Sequence, residues 1–372
     1  MSSLDLDALA ERVTEPDEAS RERARARQRE LVKPAGSLGR LEELAAWLAG
    51  VQAACPTRPI VAPRAVVFAG DHGIAQAGVS AYPTTATARL VRGTLDGGTA
   101  VSVLARLAGA GLRVLDLAVD DELAGLPADV GAHKVRRGSG RIDTTNALSR
   151  DEAERAVRAG IAIADAEVDS GADLLIVGGL GVGGSTPAAV LVGVLTGADA
   201  ASVTGRGTGI DDAAWMRKCA AIRDTLRRAR PVLADPVELL ATCGGADFAA
   251  LTGFLLQAAV RRTPVILDDL TSCACALLAQ RIAFRATDWW QAGPSTTDPA
   301  HRKALDRLAL EPLLDYTVSV GAGAGALLAL PLVTAAAATL AEMSTFAEAG
   351  IEPPGGGQRL AGPAAFAGPD VT

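Results

Sequence analysis

Six short β-branched runs of this 372-residue chain are strand candidates, and most are apolar at consecutive positions instead of alternate ones: "RAVVFAG", "LRVLDLAV", "DLLIVGG", "ASVTG", "TPVILDD" and "YTVSV". Longer alanine-rich stretches of helical character lie between them. A strand that alternates apolar and polar residues keeps one wet face, whereas a strand apolar on both faces has to be covered on both. Runs of the second kind, separated by helices, predict a doubly wound α/β fold: a mostly parallel sheet flanked by helices.

The ends of the chain read differently. Residues 1 to 50 are helical in pattern, first a charged segment and then, after the "KPAG" turn, an amphipathic helix on which Leu38, Leu41, Leu44, Ala45 and Leu48 recur. The expected organisation is an N-terminal helical segment, 1–63, that joins a late helical segment in a smaller helical domain beside an α/β domain at 64–350. From Pro353 the chain is rich in Gly and Pro without periodicity, so 351–372 is expected to be a flexible tail.

Composition narrows the function. A formal charge of −7 opposes broad attraction to nucleic acid or anionic lipid, because gripping a phosphate backbone needs a basic surface. Five cysteines (Cys55, Cys219, Cys243, Cys273, Cys275) are scattered and lack the CxxC pairs of a structural zinc site. With charge from the fifth residue and no apolar export signal, the start of the chain predicts a cytoplasmic protein. Residues 316 to 341 carry no charge and approach the length of a bilayer span. Pro331 and the opening glycine alternation favour a buried helix there instead, and no membrane partner is expected.

In open parallel sheets ligands bind beyond the carboxyl ends of the strands. Four strand candidates end in unusual loops: "VVFAGDHG", "LLIVGGLGVGGST", "SVTGRGTGIDD" and "VSVGAGAG". Glycines such as Gly181 and Gly183 let backbone amides approach a phosphate, and Ser185 or Thr186 can cap the next helix while donating to the same anion. Such turns also serve plain tight packing. No GK[ST] follows, so this is not a Walker loop. Lys218, two turns into a helix that starts at Asp211 or Asp212, can reach back to an anion, although a solvated surface charge is the simpler reading. Asp71 and His72 directly after a strand suggest proton chemistry or a loop tie. With three histidines in all and no GxSxG elbow, neither a histidine-rich metal cluster nor a serine hydrolase is indicated.

The blocks "KPAGSLGRLEELAAWLAG", "VVFAGDHGIAQAGVSAYP", "AHKVRRGSG", "VTGRGTGIDDAAWMRK", "GGADFAALTGFLLQAAVRRTPVILDD", "WWQAG" and "EMSTFAEAG" resemble, in order and spacing, the nicotinate-nucleotide:dimethylbenzimidazole phosphoribosyltransferases of cobalamin nucleotide-loop assembly. The likeness runs from about Lys33 to Gly350. It implies an α/β enzyme with a small helical domain, a homodimer or a heterodimer with a related chain, acting on nicotinate mononucleotide and a benzimidazole or related base. No metal or other cofactor is implied, because a pyridinium is already a good leaving group. Carried over residue by residue, the resemblance puts phosphate binding on Gly181, Gly183, Ser185, Thr186, Gly205, Gly207 and Lys218. It puts the base slot at Asp71, His72, Ser80, Tyr82 and Leu180.

The resemblance also exposes departures. The family's last glycine-rich loop reads Arg-Leu-Gly-Glu-Gly-Ser/Thr-Gly with the glutamate as general base, and here the sequence is Ser319-Val320-Gly321-Ala322-Gly323-Ala324-Gly325. Ala322 therefore stands where the base is expected. An acid and an asparagine of the family are Gly179 and Gly184, and a His-Arg pair is Pro294-Ser295. Asp269 stands where the family has glycine, which makes it a replacement base or merely a helix cap. The expectation is a slow or redirected transferase, or a non-catalytic binding or partner chain.

Overall fold

The computed structural model describes residues 4–354. The expected flexible tail lies, from Gly355 on, outside the described residues.

Five strands form one parallel sheet: β1 (Pro63–Gly70), β2 (Gly111–Ala118), β3 (Leu174–Leu180), β4 (Val265–Leu267) and β5 (Trp290–Ala292), in the order β2-β1-β3-β4-β5. The helices follow in chain order as α1 (Leu6–Glu11), α2 (Glu18–Glu30), α3 (Arg40–Gln52), α4 (Ala86–Leu95), α5 (Ala100–Leu107), α6 (Arg150–Asp169), α7 (Ser185–Thr196) and α8 (Ala200–Val203). Then come α9 (Asp212–Ala229), α10 (Pro236–Cys243), α11 (Ala246–Val260), α12 (Leu270–Ile282), α13 (Pro299–Leu308), α14 (Ala324–Glu342) and α15 (Phe346–Ala349). The sheet is covered as consecutive apolar residues require: β1 is buried along nearly its whole length, and α4, α5, α11 and α12 pack on the strands. Phe68 of β1 meets Phe254 of α11 edge to face, with ring centres 5.4 Å apart. A Cβ at Gly160 of α6 would stand 1.7 Å from the Ala250 carbonyl oxygen of α11, so these helices meet backbone to backbone where only glycine fits.

Two of the six expected strands are not strands. "ASVTG" begins as α8, because Asp199 accepts from Ser202 N at 3.0 Å and caps a turn that two β-branched residues cannot outweigh. "YTVSV" pairs with no strand. The edge beside β5 is already taken by Leu313 and Leu314, which bond to Ala292 and Gly293, and Thr317 adopts a φ of +52° that extended pairing does not allow. The fifth strand is instead the three-residue β5, too short to show a period of its own.

The chain divides into two compact units, one holding the chain up to Glu15 with Val61–Leu330, the other Pro16–Ile60 with the chain from Pro331 on. The first helix goes with the large unit, in which Trp289 Nε1 donates to Thr14 O at 2.8 Å. In the small unit α2 packs on α3, and Arg27 Nε donates to Leu340 O at 2.7 Å, closing the N-terminal pair onto the end of α14. Leu44, Ala45 and Leu48 are buried on α3, whereas Leu38 falls in the turn before it. The apolar stretch before residue 341 is α14. By length and composition alone it could cross a membrane, but 56% of its most apolar window is buried inside the protein.

Candidate active site

The strand order reverses between β1 and β3, since the connection from β1 leads outward to β2 and the chain then crosses back to β3. At such a switch point the loops leaving two neighbouring strands diverge and open a crevice at their carboxyl ends. A cavity of about 800 Å³ lies there. Its floor is the turn after β3, drawn so close to the end of β1 that a Cβ at Gly181 would stand 1.8 Å from the Gly70 carbonyl oxygen. Gly183 has a φ of +88°.

One corner of the cavity suits an anion. Gly181, Gly183, Ser185, Gly205 and Gly207 all line it. Behind them Lys218 is only 1% exposed, so it is not the solvated surface charge that the sequence most simply suggests. Its Nζ donates to Ser185 Oγ at 2.9 Å and to Gly205 O at 3.0 Å, tying the turn after β3 to the loop after α8. Burial pulls its pKa down to about 8, against the opposing pull of the Asp298 carboxylate. Neither Ser185 nor Thr186 caps α7, where Gly184 takes the capping position without a side chain. Ser185 Oγ is held by the lysine instead, and Thr186 is fully buried away from the cavity wall.

His72, Ser80, Tyr82 and Leu180 line the same cavity, with Tyr82 58% exposed at its rim. Asp71 is not on the wall. Its Oδ1 accepts from Thr87 Oγ1 and its Oδ2 from Asp120 N at 2.9 Å, and burial raises its pKa. Thr87 Oγ1 in turn accepts from Val182 N at 3.0 Å, so Asp71 acts through a threonine to fix the glycine turn. His72 ties to a side chain, not to backbone through its ring: its Nε2 lies 3.1 Å from Asp247 Oδ2. Burial disfavours the imidazolium there, but the Asp247 and Asp71 carboxylates together outweigh it and hold the His72 pKa above its ordinary value. Asp247 also lines the cavity. Its sequence signal, an acid two residues after "GG" at the start of a helix, is too common to single it out.

The opposite wall is the turn before α14. Ser319, Val320 and Gly321 line it, whereas Ala322 lies behind, at a φ of +57°, against Gly178. This turn is held by an acid at the end of β4: Asp268 Oδ2 accepts from Gly323 N and its Oδ1 from Ala326 N, both at 2.8 Å. Burial and the neighbouring Asp269 charge push the Asp268 pKa up to about 7. Asp269 caps α12 through Oδ1, which accepts from Ser272 N at 2.9 Å, and Ser272 Oγ returns a bond from Asp269 N. Its other oxygen faces the cavity turn, 3.2 Å from where a Cβ on Gly321 would stand. Burial raises the Asp269 pKa.

Three comparisons bear on this arrangement. The family described as Phosphoribosyltransferase matches residues 13–351. The nicotinate-nucleotide–dimethylbenzimidazole phosphoribosyltransferase of Streptomyces avermitilis is 58% identical over 344 residues, covering 92% of this chain and 92% of the relative. The protein of the same name from Streptomyces coelicolor is 57% identical over 349 residues, covering 94% and 98%. Among solved structures, CobT from Thermus thermophilus matches with a TM-score of 0.85 at 38% identity, over 90% of this chain and all of the other.

Proposed function

This chain belongs to the phosphoribosyltransferase family, and on that premise we propose that it transfers the phosphoribosyl group of nicotinate mononucleotide to dimethylbenzimidazole with Asp269 as the proton acceptor. The observation that carries this reading is one cavity with a buried cation at one corner, Lys218 behind Ser185 and the glycine loops, and a high-pKa carboxylate, Asp269, on another wall.

The chemistry needs three groups placed together. The 5′-phosphate sits against Lys218, Ser185 and the amides around Gly181, Gly183, Gly205 and Gly207. The flat base lies along His72, Ser80, Tyr82 and Leu180. One benzimidazole nitrogen attacks C1′, the bond from C1′ to the pyridinium nitrogen breaks, and nicotinate leaves with that electron pair. The proton on the second benzimidazole nitrogen passes to Asp269. A carboxyl whose pKa is raised by burial is a stronger base than an exposed one, which suits it to this weakly acidic N–H.

The absence of side chains at Gly179 and Gly184, and the small one at Ala322, supports a second reading, a chain that binds nucleotide or base without turnover and pairs with a competent relative. In either case the chain works in the cytoplasm as a dimer. Incubation with both substrates, following α-ribazole phosphate by chromatography, separates the two. Product that disappears in Asp269→Asn supports the transferase. Calorimetric binding without product favours the second reading, and sedimentation of the chain alone and with a relative shows which dimer forms.

A further inference from the structure

We propose that Asp298 selects the sugar of the donor nucleotide, its open carboxylate oxygen accepting a hydrogen bond from a ribose hydroxyl. The assignment rests on the transferase reading above and gives a second task to an acid whose charge also supports Lys218.

Asp298 stands on the cavity wall, at the cap of α13, and splits its two oxygens between two tasks. Its Oδ1 accepts from Ala300 N at 2.9 Å and from His301 N at 3.4 Å, which completes the cap. Its Oδ2 has no hydrogen-bond partner among the described residues, and it lies 2.0 Å from where a Cβ on Gly205 would stand. The carbonyl of the same Gly205 accepts from Lys218. A single loop residue is therefore flanked by the cation of the anion corner and by the spare oxygen of an acid.

A cap alone does not need that oxygen, because serine, threonine or asparagine serves equally well. Nor can the oxygen bind the phosphate, since like charges at short range repel. What the same ligand offers a few bonds from its phosphate is a pair of neutral hydroxyl donors on the ribose. A carboxylate is the strongest acceptor available for them. The acid is also held still: Pro299 follows it, and the loop before it is pinned by Thr296 Oγ1 and His301 Nδ1 at 2.8 Å, with His301 fully buried. A fixed acceptor lowers the ordering cost of binding and penalises a ligand that lacks the matching donor.

The test compares nicotinate mononucleotide with its 2′-deoxy and 3′-deoxy analogues on the unmodified protein and on Asp298→Asn and Asp298→Ser, both of which can keep the cap. The unmodified protein is expected to reject one deoxy donor by on the order of a hundredfold or more in kcat/KM. The variants are expected to lose roughly ten- to hundredfold more with the ribonucleotide than with that deoxy donor, because any weakening of Lys218 is shared by all three donors, so the discrimination collapses while the melting temperature holds. Equal use of all three donors by the unmodified protein, or discrimination that survives in both variants, overturns the assignment. If no donor is turned over, the transferase reading fails first. The same comparison is then read from calorimetric affinities, where a ribose preference lost in the variants upholds Asp298, and its absence, or no binding at all, overturns it.

Discussion

Two glycine-rich turns face each other across the cavity, and they differ in what fastens them. The turn after β3 is fastened by side chains that reach in from elsewhere: Thr87 takes Val182 N, and Lys218 takes Ser185 Oγ. The turn before α14 is also fastened by a side chain from elsewhere, but at its backbone: Asp268 accepts from Gly323 N and Ala326 N. In the first case one fastening group, Lys218, is also the proposed phosphate ligand, so shape and chemistry stand or fall together there. In the second the shape belongs to Asp268, and position 322 is free to change without the turn collapsing. This explains how Ala322 can occupy a well-formed turn in which the family resemblance calls for a glutamate.

The sharpest way to break the contrast is at the acid next to the second turn. Asp269→Asn keeps the α12 cap but removes the proposed base, and kcat is expected to fall by about 10²- to 10⁴-fold. Adding Ala322→Glu to that variant shows whether the turn can still present a base: recovered product means it can. Asp268→Ala is expected to act on stability instead, since it strands two buried N–H groups. A loss of about 2–6 kcal/mol in denaturant unfolding, at one to three per group, is the expected size. Unchanged stability would mean that the turn is held by something other than Asp268.

On the first turn the effects are expected in substrate binding. Lys218→Met is expected to raise KM for the phosphorylated donor roughly ten- to hundredfold while kcat moves less, because it removes a charged donor present in both ground and transition states. The same lysine sets a pH limit. With its pKa lowered from 10.5 to about 8, its charge is lost above pH 8, and KM is expected to climb from there, by about tenfold per pH unit at most. Stability should move the other way: between pH 8 and 10.5 the unfolded chain holds a proton that the folded chain has released, so stability rises with pH in that window. The Met variant should show neither limb. The smallest expected effect is Ala322→Gly, which relieves a left-handed alanine and should stabilise the fold by about 1 kcal/mol in thermal melts.

Much of this was legible in the residues. Consecutive apolar runs dictated a sheet covered on both faces, since burial on both sides leaves no place for alternation, and four of the five strands follow from that alone. Glycines next to strand ends marked the loops that line the cavity, because a backbone that must approach another backbone or an anion has no room for a Cβ. Where local signals compete, the sequence is ambiguous: "ASVTG" carries β-branched residues but follows a capping aspartate, Asp199, and the cap prevails.

The rest waited on the tertiary structure. Lys218 looks like any helix-surface lysine until the loop after α8 folds over it and burial lowers its pKa. Asp71 and His72 are adjacent in the chain, yet one turns inward to Thr87 and the other to the cavity and Asp247, because the backbone stays extended at His72 and successive side chains of an extended chain point to opposite sides. Asp247 and Asp298 are ordinary helix-start acids in one dimension. What the sequence determined by itself is the kind of fold and the loops that make its crevice, since periodicity and glycine act over a few residues. What only the tertiary structure decided is which charges are buried, which oxygens stay open and which groups share the cavity, because desolvation and convergence belong to residues far apart in the chain.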